Sequence, residues 1–253
     1  MKYGINTLDD FAWGGKVVLC RVDINAPLDK ESGGLRDVTR LKGCAPTVRE
    51  LAEAGARVVL LAHQGGDLEY HNYASTEPHA AVMSELTGRE VGFVDDVCGP
   101  AAREAVGRLA DGGILLLDNV RFCAEELTLF ERKLELSPED QAKTLVVRKL
   151  APLADLYVCD AFAAAHRSQP TLVGFEQLLP SAMGRLFEKE YANLARLREE
   201  PARPCVFLLG GTKIQEAFPM MEAALADGVV DQVLAAGLAA NVMLAAGGVE
   251  IGA

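Results

Sequence analysis

Basic side chains follow the ends of several short apolar runs in this sequence. They are Arg21, His63, Arg121, His166 and Arg167, and Arg40 at the start of the first long helical segment can join them. Guanidinium groups bind carboxylates and phosphates through paired, charge-assisted hydrogen bonds. The repetition of these groups predicts a site for a small ligand that carries both a phosphate and a carboxylate.

Each of these residues also has an ordinary explanation. A single arginine after a strand is usually a surface residue or half of an ion pair, and a lone histidine is more often hydrogen-bonded scaffolding than a catalyst. Asp23 and Asn25, just after Arg21, could bond a substrate hydroxyl or orient the arginines. What favours anion binding is the same charge at several strand ends.

Lys213 is the one basic residue between Cys205 and Ala253, and it follows the pair Gly210-Gly211. Glycines let backbone amides approach a phosphate, and a helix that starts there favours negative charge. A lysine at that place can neutralise charge on a transferred phosphoryl group. The alternative is a tight turn with a surface lysine, since neither GxxxxGK[ST] nor GxGxxG is present. Gly237 marks a second turn of this kind.

The elements that position these residues alternate along the chain. Short, β-branched apolar runs predict strands covered on both faces, at 16–20, 57–62, 90–94, 113–117, 155–159 and 205–209. Apolar residues at helical spacing predict helices at 39–54, 77–87, 100–110 and 138–152. This alternation predicts an α/β fold with parallel sheets, in which ligands bind beyond the carboxyl ends of the strands.

The charge pattern after residue 180 predicts the domain organisation. A helix predicted over 181–200 carries dense charges of both signs, and prolines 201 and 204 end it. We therefore expect an N-terminal domain at 1–179, a connecting helix or hinge at 180–203, and the start of a second domain at 204–253.

Composition excludes several classes of protein. Acidic residues number 36 against 25 basic ones, so the net charge of −11 argues against a nucleic-acid binder. The apolar runs are too short to span a membrane, and residues 1–13 contain no apolar stretch after Lys2, so we expect no signal peptide. The six cysteines form no CxxC motif, which predicts reduced thiols and no zinc site. We expect a cytoplasmic protein with neither nucleic acid nor membrane as a partner.

Taken together, the strand-end segments resemble those of the phosphoglycerate kinases, and most of all the archaeal-type branch. The resemblance covers the whole chain in order, and DAFAAAHRSQP with RVDxNxP upstream is its most specific part. The matching segments are RVDINAPL (21–28), DVTRL (37–41), AHQGG (62–66), LDNVRF (117–122), DAFAAAHRSQPTLVGF (160–175), EKE (188–190), LLGGTK (208–213) and GLAANVML (237–244).

The resemblance implies two doubly wound parallel-sheet domains, Rossmann-like and three-layered, the second incomplete in this chain. It implies an enzyme of glycolysis and gluconeogenesis, a phosphotransferase that moves a phosphoryl group reversibly between 1,3-bisphosphoglycerate and ADP to give 3-phosphoglycerate and ATP. The first domain would bind the glycerate and the second ATP or ADP. Mg²⁺ would arrive with the nucleotide, and its protein ligand is expected outside this chain. A monomer is the default expectation.

Residue by residue, the resemblance assigns catalytic roles to Arg40 and Lys213, which would stabilise the moving phosphoryl group from opposite sides. It assigns nucleotide binding to Gly210, Gly211, Lys213 and Gly237, and it assigns no metal ligand. Substrate binding falls to Arg21, Asp23, Ile24, Asn25, Arg40, His63, Gln64, Gly65, Gly66, Arg121 and Arg167.

Two departures from the family pattern leave alternatives open. The family loop reads H-x-G-R-P, whereas this chain has Gly66 at the position of the arginine and Asp67 after it. One alternative is therefore a related kinase that acts on another phosphorylated carboxylate. Arg36 is a candidate replacement for the missing charge. The chain also lacks the family's GGDT-type turn, which predicts a fragment of a longer kinase. The other alternative is a non-catalytic module that binds phosphoglycerate.

Overall fold

The computed structural model describes residues 1–29, 31–66, 73–127, 134–211 and 214–252. The chain divides into two compact units, Met1–Glu190 and Tyr191–Ala253. Lys213 and Asp67 lie outside the described residues. No helix in the described ranges combines the length and the apolar character needed to cross a membrane.

The first unit is built on a six-stranded sheet in the order β3-β4-β2-β1-β5-β6, and every described strand pair in it is parallel. From β1 the chain builds towards one edge, and it later returns to β5 and builds towards the other. The carboxyl ends of β1 and β5 therefore form the switch point where such sheets bind ligands. The strands are β1 (Val17–Arg21), β2 (Arg57–Leu61), β3 (Val91–Val94), β4 (Ile114–Leu117), β5 (Leu156–Cys159) and β6 (Ser181–Met183).

Helices cover both faces of this sheet, as the strands' apolar composition requires. Alternate residues of β1 enter different cores, since Val18 packs with helices α1 (Thr39–Glu53) and α2 (Glu77–Thr87), and Leu19 packs on the opposite face with α3 (Pro100–Arg108). Each fully buried Val or Leu side chain contributes roughly 1.5–3 kcal/mol. The result is the predicted three-layer arrangement.

The prediction of one continuous helix at 138–152 is wrong. Two short helices form instead, α4 (Pro138–Gln141) and α5 (Leu145–Leu150). The Thr144 hydroxyl donates to the Gln141 carbonyl at 2.6 Å and ends the first helix. The carboxylate of Glu125 accepts from the Leu145 N–H at 2.8 Å, so a tertiary contact starts the second.

The helix predicted over 181–200 begins late. Ser181–Met183 is strand β6, which completes the sheet beside β5, and the helix is α6 (Arg185–Glu199). Its start is held by two side chains of other elements. The Arg185 N–H donates to Thr47 Oγ1 at 2.8 Å, and the Phe187 N–H donates to Asp160 Oδ1 at 3.0 Å.

The second unit contains a parallel strand pair, β7 (Val206–Leu209) and β8 (Gln232–Ala235). Each strand leads into a helix, α7 (Ile214–Ala226) and α8 (Gly237–Ala246) respectively. Its buried cluster consists of Cys205, Val229 and Val230, among the described residues. Leu208 and Leu234 are 73% and 50% exposed, so one face of the strand pair is open.

Candidate anion-binding site

Arg21, the last residue of β1, is the centre of the site and is 0% exposed. Its Nε donates to Thr171 Oγ1 at 3.0 Å and its Nη1 donates to the Val22 carbonyl at 2.6 Å. Its Nη2 donates to His63 Nδ1 at 3.0 Å. The guanidinium is therefore held in one orientation at the switch point of the sheet.

His63 follows β2 and is surrounded by positive charge. Burial is the main cause that holds its pKa well below the usual 6.5, and the next causes are the charges of Arg21, Arg121, Arg167 and Arg40. The imidazole is neutral at physiological pH, and because Arg21 donates to Nδ1, the remaining ring proton sits on Nε2. We call Arg21, Arg40, His63, Arg121 and Arg167 the basic cluster, because all four guanidiniums act on this one ring.

Arg121 lies on a 3-10 turn after β4, and Asn119 holds that turn in place. Asn119 Oδ1 accepts from the N–H groups of Arg121 at 3.1 Å and Gln64 at 3.2 Å, and its Nδ2 donates to the Gln64 carbonyl at 2.7 Å. Asn119 thus joins the loops after β2 and β4. Asn119 is not among the predicted site residues, although two polar residues, Asp118 and Asn119, after a buried strand were a visible signal.

Gly65 brings three loops together. Its φ of +109° is one that other residues rarely adopt. In this conformation its carbonyl accepts from Arg121 Nη1 at 2.5 Å, and its N–H donates to Asn25 Oδ1 at 3.1 Å. The side chains of Asn25 and Arg121 therefore link the loops after β1 and β4 to the Gly65 backbone in the loop after β2.

Two predicted substrate residues have structural contacts of their own. The Gln64 side chain is buried and bridges both backbone groups of Ala26, accepting from the N–H at 3.0 Å and donating to the carbonyl at 2.8 Å. The Ile24 side chain is 0% exposed and packs in the core under α1. Their roles in substrate binding stay predictions, and for Ile24 a contact through the backbone is the compatible form.

Arg40, in the first turn of α1, is oriented by Asp23. Its Nη1 donates to Asp23 Oδ2 at 2.7 Å, and the carboxylate is almost fully buried whereas the arginine side chain is 51% exposed. A half-exposed ion pair adds little to stability. Its consequence here is geometric, since one nitrogen of the guanidinium is fixed beside the β1 loop.

A cleft of about 830 Å³ opens beside these residues. Arg40, Asn25 and Gly65 line it, together with Gly66, which is exposed. Arg36, the candidate replacement for the family's loop arginine, donates to Asp29 through Nε at 3.1 Å and Nη2 at 2.9 Å. The structure therefore pairs Arg36 with a carboxylate of the cleft wall.

The loop after β5 carries the last member of the basic cluster. Arg167 is half-buried, and its N–H donates to the Ala164 carbonyl at 3.1 Å. Its neighbour His166 is exposed. The arginine charge is one of the causes that lower the pKa of His63.

In the second unit, the predicted nucleotide glycines lie at the carboxyl ends of neighbouring strands. Gly210 and Gly211 follow β7, and Gly237 begins α8 after β8 with a φ of +57°. A Cβ built on Gly210 would lie 4.0 Å from the Ala236 carbonyl, so the two turns are adjacent. Among the described residues there is no group of three His, Cys, Asp or Glu side chains that could hold a metal ion.

A doubly wound parallel sheet with arginines gathered at its switch point defines a class of α/β proteins that bind small anionic ligands. Comparison with known proteins narrows this class. The sequence profile of phosphoglycerate kinase matches residues 8–253. The phosphoglycerate kinases of Methanothermobacter thermautotrophicus and Methanococcus maripaludis are 46% and 45% identical to this chain, over 100% and 97% of its length.

Solved structures agree with the sequence comparison. The crystal structure of phosphoglycerate kinase from Pyrococcus horikoshii superposes with a TM-score of 0.87 at 40% identity, covering 98% of this chain and 59% of that one. The Coxiella burnetii enzyme gives 0.72 at 27% identity and covers 98% of this chain and 58% of that one. The chain belongs to the phosphoglycerate kinase family, which confirms the resemblance and the fold class. It spans about 60% of the length of the two archaeal relatives named above.

Proposed function

We propose that the basic cluster binds 3-phosphoglycerate or 1,3-bisphosphoglycerate, and that the chain serves reversible phosphoryl transfer between the latter and ADP. The observation that carries this proposal is that Arg21, bonded to His63, and Arg121, bonded to the Gly65 carbonyl, lie at the carboxyl ends of parallel strands in one sheet. Membership of the family supports the choice of substrate. The four arginines come from separate segments of the chain, which suits a ligand with charge at two ends.

The neutral imidazole adds a different kind of contact. With Arg21 donating to its Nδ1, His63 carries its proton on Nε2 and can donate it to an anion without adding positive charge. Arg40 uses Nη1 on Asp23 and keeps further N–H groups for a ligand. The glycerate would therefore meet fixed donors that need little reorganisation on binding.

Phosphoryl transfer needs position and charge rather than covalent chemistry from the protein. In this proposal Arg40 stabilises the equatorial phosphoryl oxygens from the glycerate side, and Lys213 does so from the nucleotide side. The amides at Gly210, Gly211 and Gly237 would receive the phosphates of MgATP or MgADP, which is a substrate here. No covalent intermediate with the protein is required.

A related kinase acting on another phosphorylated carboxylate is the second candidate. Gly66 favours it, because this residue faces solvent where the family pattern has an arginine, and Arg36 is paired with Asp29. The loss of one charge-assisted hydrogen bond costs roughly 1.5–3 kcal/mol of binding free energy. An acid of smaller size or different shape would lose less binding free energy without this arginine.

Isothermal calorimetry tests the first proposal directly. The chain is titrated with 3-phosphoglycerate, 2-phosphoglycerate, phosphoenolpyruvate and unphosphorylated glycerate. We expect 3-phosphoglycerate to bind most tightly and glycerate least. Tighter binding of another phosphorylated acid would favour the second candidate, and no heat with any of them would overturn both. A coupled assay with MgATP then separates a kinase from a module that only binds.

A further inference from the structure

Thr171 has no assigned role, yet all of its polar groups are engaged. It is 0% exposed and lies on a single π-helical turn, Pro170–Gly174, after the β5 loop. Its N–H donates to Glu126 Oε1 at 2.6 Å and its hydroxyl donates to Glu126 Oε2 at 3.0 Å. Its carbonyl accepts from the Tyr157 hydroxyl at 2.7 Å. Isolated π turns are frequent at functional sites.

The direction of the hydrogen bonds follows from donor and acceptor chemistry. The Nε of Arg21 can only donate, so Thr171 Oγ1 accepts at that contact, and its own proton goes to Glu126. The chain of contacts therefore runs from Arg21 through Thr171 to Glu126. The donor and acceptor roles are therefore fixed at every hydrogen bond of this chain of contacts.

Glu126 is a costly residue to bury. It is 0% exposed, and burial raises its pKa to about 7, against the opposing charges of Arg21 and Arg121. A buried carboxylate without hydrogen-bond partners is destabilising. Here both of its oxygens accept from Thr171, so the carboxylate holds that residue in place.

We propose that Thr171 is a positioning residue of the basic cluster, which fixes the Arg21 guanidinium and is itself fixed by Glu126. The inference rests on the proposed function, because it assumes that Arg21 contributes to ligand binding. Arg21 also contacts His63, so a guanidinium released from Thr171 would lose its alignment with the imidazole. Neither Thr171 nor Glu126 would touch the ligand.

The first test compares two substitutions at Thr171. Thr171→Val removes the hydroxyl and leaves the Arg21 Nε without its acceptor, so we expect the Kd for 3-phosphoglycerate to rise about tenfold. Thr171→Ser keeps the hydroxyl and should bind within about threefold of the wild type. Tyr157→Phe is the matched structural control, because the Tyr157 hydroxyl donates to the backbone carbonyls of Thr171 and Leu172 and leaves the Thr171 hydroxyl in place. It should lower Tm and leave the Kd unchanged.

The second test acts on Glu126 and keeps its carboxyl group. Glu126→Asp shortens the side chain and withdraws the acceptor from Thr171, so we expect weaker binding, by about five- to tenfold. Glu125→Asp is the matched control on the same turn, since Glu125 contacts the N–H of Leu145 instead. It should leave the Kd unchanged. This pair decides the question if Thr171→Val does not fold.

Wild-type affinity in Thr171→Val would overturn the inference, as would equal losses in the Val and Ser variants. If Thr171→Val is unfolded, wild-type affinity in Glu126→Asp would overturn it. The same variants are also titrated with inorganic sulfate, which requires only the basic cluster. A wild type that binds sulfate and no 3-phosphoglycerate refutes the proposed function, and the sulfate affinities then decide the role of Thr171. A wild type that binds neither anion refutes both proposals.

Discussion

The Nη2 of Arg21 donates to Nδ1 of His63 across 3.0 Å, at the carboxyl ends of the neighbouring strands β1 and β2. This contact excludes a proton from Nδ1, because an arginine cannot accept a hydrogen bond. It therefore explains why a histidine among four guanidiniums is a stable arrangement. Protonation of the ring would break the contact and add a fifth positive charge.

The pH dependence of stability should reflect this contact. The pKa of His63 is lower in the folded protein than its usual 6.5, so its contribution to stability is complete above pH 6.5 and declines as the pH falls. His63→Asn keeps an acceptor for Arg21 and cannot be protonated. Between pH 6.5 and 5, wild-type stability should decline relative to this variant by up to about 1.4 kcal/mol per pH unit. Urea denaturation at several pH values measures the difference, and parallel curves would contradict the prediction.

Arg40 should affect turnover more than affinity. If it stabilises the moving phosphoryl group, Arg40→Ala lowers kcat by about a hundredfold or more and raises the KM for 3-phosphoglycerate by less. Arg108→Ala is a suitable control, because Arg108 is 78% exposed and pairs with Glu104 at the surface. The coupled assay measures kcat and KM for both variants, in a form of the protein whose turnover is high enough to measure. A raised KM with an unchanged kcat would assign Arg40 to simple binding.

Gly66→Arg should strengthen binding of 3-phosphoglycerate. Gly66 is exposed and lines the cleft, so an added guanidinium could supply the charge that the family loop provides. We expect a Kd about tenfold lower than in Gly66→Gln, which adds a side chain of similar polarity without charge. Calorimetry at low and high salt checks the electrostatic origin. Equal affinity in the two variants would show that the missing arginine is not needed.

Proteolysis should begin in the second unit. Its buried cluster is small, and Arg196 and Arg198 on α6 are exposed to trypsin. We expect early cleavage there and a persistent fragment close to the first unit, which 3-phosphoglycerate should protect further. Mass spectrometry of a time course identifies the products. Loss of both units at one rate would indicate that they unfold together.

The roles of the basic cluster in binding stay predictions. Strand ends were sufficient to predict that Arg21, His63 and Arg121 lie at one edge of the sheet, because parallel strands bring their carboxyl ends together there. They were not sufficient for Glu126. Within Ala-Glu-Glu-Leu this residue has the pattern of a solvated turn, and its burial depends on Thr171, which is 45 positions away. Gln64 shows the same limit, since its side chain holds Ala26 from a different loop.

Boundaries of helices were the least accurate part of the sequence-based prediction. The spacing of apolar residues was correct for α1 and α2, whose ends depend on local sequence. It failed at 181–184, where an open edge of β5 accepts another strand. Pairing partners from distant segments override local helix propensity there.

The position of β1 between β2 and β5 has a consequence for how the protein is made. The Val17 N–H donates to the Asp155 side chain, 138 positions later in the chain. The Arg21 side chain donates to Thr171, which is 150 positions later. During synthesis Arg21 emerges long before Thr171, which orients it, and contacts between such distant segments form slowly. Competence to capture an anion should therefore appear only in the last stage of folding of the first unit. Ligand binding would then serve as a reporter of the completed fold.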